Sequence, residues 1–147
     1  MTFNLMDIYD DILGYLDQAL PGQEIVLQAI PDYKTVKRNV INEIMPFYAV
    51  QFGDLQQGRA RNMASVRGDD YILPIYIQCI SPDPRTTLGL HAQLMDVILG
   101  KRFPYTANTR KFSGGGMYPI TNTDNATEAY MMPASFSVIV QLLNVVE

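Results

Sequence analysis

Residues 71–80, YILPIYIQCI, carry one polar side chain, Gln78, and this run constrains the fold more than any other part of the chain. A strand with one wet face alternates apolar and polar residues, whereas a strand apolar on both faces lies inside a sheet that is covered on both sides. Residues 134–146 repeat the pattern: Phe136, Val138, Val140 and Leu142 share one face, and Ile139, Leu143 and Val145 the other. Two such strands in one small domain require helices on both sides of the sheet or burial against neighbouring molecules. Pro74 interrupts the first run without a donor for the ladder, which places a bulge or a local edge there.

The elements around these strands follow from periodicity and punctuation. Leu5, Ile8, Ile12, Leu16 and Leu20 recur at helical spacing over residues 5–20, with Asp7, Asp10, Asp11 and Asp17 mostly on the other side, and Pro21-Gly22 stops the helix. Residues 24–30 and 46–52 read as strands, residues 32–45 as an irregular loop, and the polar residues 54–70 as a loop between two strands. Asp83 and Pro84 fit the N-cap and first position of a second helix running to about Leu99. That helix is expected to bury Leu88, Leu94, Met95 and Ile98 and to end on a left-handed Gly100, followed by Lys101 and Arg102. Helix, strands, helix, strands is an α+β order: one domain over residues 1–147, with an antiparallel or mixed sheet carrying two helices on one face.

Composition excludes several function classes. A single Cys, Cys79, rules out an internal disulfide framework and a Cys-rich zinc site, and a single His, His91, leaves too few ligands for a His-based metal centre. No stretch approaches the ~20 apolar residues of a membrane helix, and the acidic beginning lacks the basic region of a signal peptide, so no membrane association is expected. Residues 1–30 hold Asp7, Asp10, Asp11, Asp17 and Glu24 and no Lys or Arg, which disfavours non-specific nucleic-acid binding by the whole chain.

The candidate motifs resolve into ordinary structure. Gly114-Gly115-Gly116 is followed by Met117-Tyr118-Pro119 rather than a helix, so it reads as a loop tip or hairpin and not as a phosphate cradle. Cys79 late in an apolar strand reads as a buried, inert thiol. Asp69-Asp70 read as turn residues before a strand, and Asp83 as a cap. No catalytic, metal or cofactor-binding residue is assigned. Arg59, Arg61 and Arg67 stand together in the Gly-containing segment 54–70, which is either a solvated loop or a basic finger that meets phosphate or a partner subunit.

The layout DIYDDILGYLDQAL, PFYAVQF, GRARNMASVRGDD, YILPIYIQCISPDPRTTLGLHAQLMDVILG and SFSVIVQLLNVV, spanning nearly the whole chain, resembles the tail terminator (tail completion) proteins of long-tailed bacteriophages. The resemblance implies a non-enzymatic α+β protein of the virion tail or neck, assembled in the host cytoplasm. It implies a homo-oligomeric ring, a hexamer, that ends tail-tube polymerisation and joins the tail to the head. Its partners would be the tail-tube (major tail) protein and a head-completion or neck protein, with genomic DNA passing through the lumen and no cofactor. In such a ring, head-to-tail contacts would cover the second sheet face, and Arg59, Arg61 and Arg67 would lie in the lumen or across a subunit boundary. A head-closure or head–tail adaptor ring, or a small-molecule-binding domain, is the alternative.

Overall fold

The computed structural model describes residues 5–27, 37–63, 66–99, 110–121 and 126–143, with main chain alone for 57–63, 66–70, 110–112 and 139–143. Helix α1 (Leu5–Ala19) forms where the sequence places it, burying Ile8, Ile12 and Leu16 and exposing Asp7, Asp10, Asp11 and Asp17. The chain turns out of it through Gly22 at φ 79°, a left-handed conformation that glycine adopts without a steric penalty. Strand β1 (Glu24–Val26) follows and pairs parallel with β2 (Phe47–Phe52), so the sheet is mixed. The remaining strands are β3 (Gln56–Met63), β4 (Val66–Ser81), β5 (Arg110–Gly114), β6 (Tyr118–Thr121) and β7 (Thr127–Leu143), with helix α2 (Pro84–Ile98) after β4.

The seven described strands run in the order β1-β2-β4-β7-β5, with β3 beside β4 and β6 beside β7. The two runs apolar on both faces are the two long central strands, β4 and β7, paired antiparallel from Gly68↔Leu143 to Ser81↔Tyr130. Each is flanked on its outer side by a neighbour that breaks in the middle. β2 pairs with β4 as far as Phe52↔Ile75, and β3 resumes at Gln56↔Ile72. β5 pairs with β7 as far as Gly114↔Ala134, and β6 resumes at Tyr118↔Met131.

Those two breaks accommodate the prolines of the central strands. In a strand, the N–H and C=O of one residue point to the same side. The Pro74 carbonyl accepts from Gly53 N at 2.7 Å and the Pro133 carbonyl from Gly115 N at 2.8 Å. Each proline nitrogen therefore faces a break in the neighbouring strand, where no donor is needed. The local edge expected at Pro74 is this break. The triple glycine, expected at a loop tip or hairpin, instead ends β5 at Gly114 and continues into the break before β6, with Gly115 against Pro133. A Cβ on Gly115 would stand 2.5 Å from Pro133 Cγ, so the close approach of strand to ring selects glycine there.

Both helices lie on one face of the sheet. Ile8, Ile12, Leu16 and Leu20 from α1 and Leu90, Leu94 and Ile98 from α2 pack on Tyr48, Val50, Leu73, Ile75, Ile77, Cys79, Ala134, Phe136 and Val138. Tyr48 donates to the Leu90 carbonyl at 2.8 Å, and Tyr15 to that of Val97 at 2.7 Å, tying sheet to helix and helix to helix. On the other face a smaller cluster gathers Ile44, Phe47, Ala49, Ile80 and Ala129.

The second helix differs from expectation in its phase and its end. Its buried residues are Thr87, Leu90, Leu94 and Ile98, while Leu88 and Met95 are exposed. A threonine hides this stripe in the sequence. Thr87 is fully buried because its hydroxyl bonds Ser81 Oγ (2.8 Å) and the Asp83 carbonyl (3.1 Å). Asp83 is the N-cap, accepting from Thr86 N at 3.2 Å. The C-cap is Leu99 in an extended conformation; Gly100, Lys101 and Arg102 lie outside the described residues.

Residues 54–70, read as a loop, are mostly strand. β3 and the first part of β4 pair antiparallel as an extension of the sheet, from Gln56↔Ile72 to Met63↔Val66, with a register shift between Gln57 and Ala60. Asp69 and Asp70 likewise sit within β4, opposite Leu142 and Gln141 of β7, and not in a turn. The ladder is held by main-chain bonds, which leave no trace in a polar sequence without apolar alternation.

Candidate interaction surface

The residues considered for chemistry are placed as structural parts. Cys79 is fully buried in the helix-side core, and burial pushes its thiol from 9.0 up to about 12. At neutral pH it is a protonated thiol, which is neither the nucleophile nor the ligand form of cysteine. His91 lies on α2 beneath the end of β5: a Cβ on Gly114 would stand 2.8 Å from His91 Nε2. Burial there lowers the imidazole pKa. No group of three or more potential metal ligands occurs among the described residues, and no described helix is long and apolar enough to cross a membrane.

The surface features lie on the helix-free face and beyond the helix layer. A groove of about 390 Å³ opens on that face, lined by residues including Gln51, Tyr76, Gln78, Gly115, Pro133 and Ser135. Tyr76 is 46% exposed, and Gln78 Oε1 is buried without a hydrogen-bond partner among the described residues. Such an orphaned acceptor is uncommon and calls for a partner.

Rooted in the smaller cluster is a finger formed by residues 37–45, the described part of the segment read as a loop. Asn39 organises it: its Oδ1 accepts from Ile41 N (3.1 Å) and Glu43 N (2.9 Å), and its own N–H donates to the Glu43 carbonyl (2.9 Å). Arg38 donates to the Asn42 carbonyl at 3.0 Å and forms an ion pair with Glu128 of β7. Asn42 takes the left-handed conformation, φ 64°, which asparagine tolerates better than most residues. Ile44 roots the finger in the smaller cluster, while Val40 and Ile41 at its tip are 104% and 69% exposed.

The third feature is the arm of β3, β4 and β7 that continues past Leu73, the last β4 residue in the helix-side core. It brings Arg59, Arg61 and Arg67 into one strand pair: Arg61 pairs with Gly68, Arg67 with Asn62, and Arg59 falls at the register shift between Gln57 and Ala60. The three arginines expected to act together thus share a structured arm rather than an open loop. The groove and the finger had no sequence signal. The groove's lining comes from β2, β4, β5 and β7, and Val40-Ile41 is a short apolar pair like many that are buried.

No family model matches the chain, and none of the curated proteins is similar enough to it to count as a relative.

Proposed function

We propose that this chain is a tail terminator of a long-tailed phage, a structural subunit of a hexameric ring that stops tube polymerisation and joins tail to head. The observation that carries the reading is the one-sided covering of the sheet. Apolar side chains occur on both faces of its two central strands, mixed with Gln78, Ser135 and Ser137 on one, yet both described helices pack on the other. The helix-free face keeps Ile72 and Tyr76 partly in water and an open groove beside them. A subunit whose second face is completed by its neighbours has this form, and head-to-tail contacts around a ring supply such cover. The chain-long resemblance of the sequence supplies the kind of ring.

In this reading the β3–β4 arm projects into the lumen or across a subunit boundary, carrying Arg59, Arg61 and Arg67 toward passing DNA or a neighbouring subunit. The exposed acids of α1 face outward or toward a docking partner. The tail-tube protein lies on one side of the ring and a head-completion or neck protein on the other.

The test is the mass of the purified protein across micromolar concentrations, imaged in parallel by negative stain, followed by its addition to purified tail tubes and to filled heads. Closed six-membered rings that bind tube ends are the expected result. Binding to heads alone would indicate a head-closure or adaptor ring. Neither rings nor binding, together with a melting temperature raised by a small molecule, would replace this reading with a ligand-binding domain.

A further inference from the structure

We propose that the arm built from β3 and the adjoining ends of β4 and β7 is a separate cooperative unit, which opens and closes while the rest of the domain stays folded. The inference concerns the single chain and stands or falls independently of the ring reading.

The helix-side core stops at a line across the sheet. Leu73 of β4 and Val138 of β7 stand opposite each other on that line, both fully buried. One step beyond it Ile72 is 38% exposed, Tyr71 and Leu55 are half-buried, and Asp54 and Gln56 are exposed. At the same line the rings of Tyr9 on α1 and Phe52 on β2 meet at a centroid distance of 4.6 Å, and Leu55 packs against the core beside them. These side chains close the end of the core, so strands that unpair beyond them leave the packing of helices on sheet intact.

Few strands cross the line. β2 and β3 are interrupted at Asp54-Leu55, Pro74 brings no donor to the ladder, and no described strand lies on the outer side of β7 beyond Ser137. β4 and β7 alone run through. A sheet this narrow depends on an apolar face packed against another layer, and the arm brings little to pack. Residues 56–70 contain only Ala60, Met63, Ala64 and Val66 as apolar residues, and Leu142 and Leu143 of β7 stand opposite Asp69 and Gly68. Main-chain hydrogen bonds are then its chief support, and in contact with water each contributes little net stability. A segment of that kind opens at the low end of the local stability range.

Such an arm is a device for recognition. Closing it sets the register that holds Arg61 opposite Gly68 and Arg67 opposite Asn62. A partner that binds only the closed arm draws the equilibrium toward it by mass action, at no cost to the core.

Hydrogen exchange of the full chain, followed by mass spectrometry of its peptides in urea below the unfolding transition, tests the proposal. Amides of residues 57–63, 66–71 and 139–143 should exchange on the order of a hundredfold faster than those of residues 75–80. Their rate should respond weakly to urea, because opening the arm exposes little surface. Gly68→Pro removes a donor from the middle strand of the arm. It should abolish protection there and leave the melting transition and the protection of residues 75–80 as in wild type. Tyr48→Phe in the core should do the reverse, speeding exchange at residues 75–80 about fivefold and leaving the arm's rate unchanged.

Arm and body exchanging at one rate would overturn the proposal. So would a Gly68→Pro chain that fails to fold or loses protection throughout, since the arm would then belong to the same cooperative unit as the core. Arm amides as fast as those of an unstructured peptide would overturn it from the other side, because no closed state would exist.

Discussion

Replacing Gly115 by alanine adds one methyl group at a place where the structure has no room for it. The new Cβ would lie 2.5 Å from Pro133 Cγ and 3.3 Å from its Cδ, whereas carbon atoms in contact prefer about 3.5–4.0 Å. The obstacle is a ring fixed to the middle of a central strand, so relief requires β5 to move away by about 1 Å. That movement stretches the 2.8 Å bond from Gly115 N to the Pro133 carbonyl. Overpacking of this kind costs about 1–3 kcal/mol, or a fall in Tm of roughly 2–4 °C per kcal/mol for a domain of this size.

The internal standards are Gly14 in α1 and Gly89 in α2, where an added Cβ meets nothing within 4 Å. Alanine at either should stabilise by about 0.5–1 kcal/mol, because glycine is a poor helix former. The same chemical change is thus expected to have opposite signs at Gly115 and Gly14, read by urea unfolding. Pro133→Ala removes both crowding ring atoms, while the main-chain oxygen stays 3.6 Å from the new Cβ, an ordinary contact. The cost of Gly115→Ala should therefore largely vanish in that background, with a coupling of about 1 kcal/mol or more. A neutral Gly115→Ala, or an equal cost with and without Pro133, would refute the close-approach argument. Gly53→Ala should be destabilising in the same way, but Pro74→Ala should rescue it only in part, because Tyr76 Cε2 also lies 2.8 Å from the added atom.

Three further expectations concern other parts of the molecule. Tyr48→Phe removes the buried bond to the Leu90 carbonyl while keeping the ring, and should cost about 1 kcal/mol in chemical denaturation; no loss would mean that the bond contributes nothing to docking α2. Burial raises the folded-state pKa of Cys79 from 9.0 to about 12 and that of Tyr48 still further. The stability held by the neutral forms is therefore complete below about pH 9 and falls as pH rises toward 12. Cys79→Ala should flatten that decline, and unfolding curves for this variant that keep the full slope would remove the thiol from the explanation. Replacing Arg59, Arg61 and Arg67 together by alanine should impair assembly and infectivity while leaving the melting transition of the isolated chain in place. Unchanged assembly and infectivity would mean that the arm's charges have no role in the ring.

The first helix, the second helix and the two central strands were legible because each leaves a signal in the order of residues. Apolar side chains recur at helical spacing in α1, Asp83-Pro84 marks the start of α2, and two long apolar runs can exist only deep in a sheet. What the pattern lacked was any sign of pairing. The β3–β4 pair is polar and looked like a loop, since main-chain hydrogen bonds build a strand without requiring alternation. The phase of α2 was misread because a threonine, bonded through its hydroxyl, occupies a position usually held by an apolar residue. The three glycines looked like a tip because the residues that crowd two of them, His91 at Gly114 and Pro133 at Gly115, are remote in sequence until the sheet forms.

The candidate surface divides in the same way. The sequence alone determined that the sheet has two apolar faces, that α1 carries an acidic outer side, and that three arginines lie close together along the chain. Tertiary structure decided that both described helices pack on one face of the sheet, with a smaller cluster on the other. It also decided that Val40 and Ile41 stand on a braced finger, and that four separate strands meet to form a groove with an unpaired acceptor in its lining. Periodicity reports which side chains avoid water, a property of each segment by itself. Which surface remains to be covered depends on how the segments pair, and long-range contacts set that.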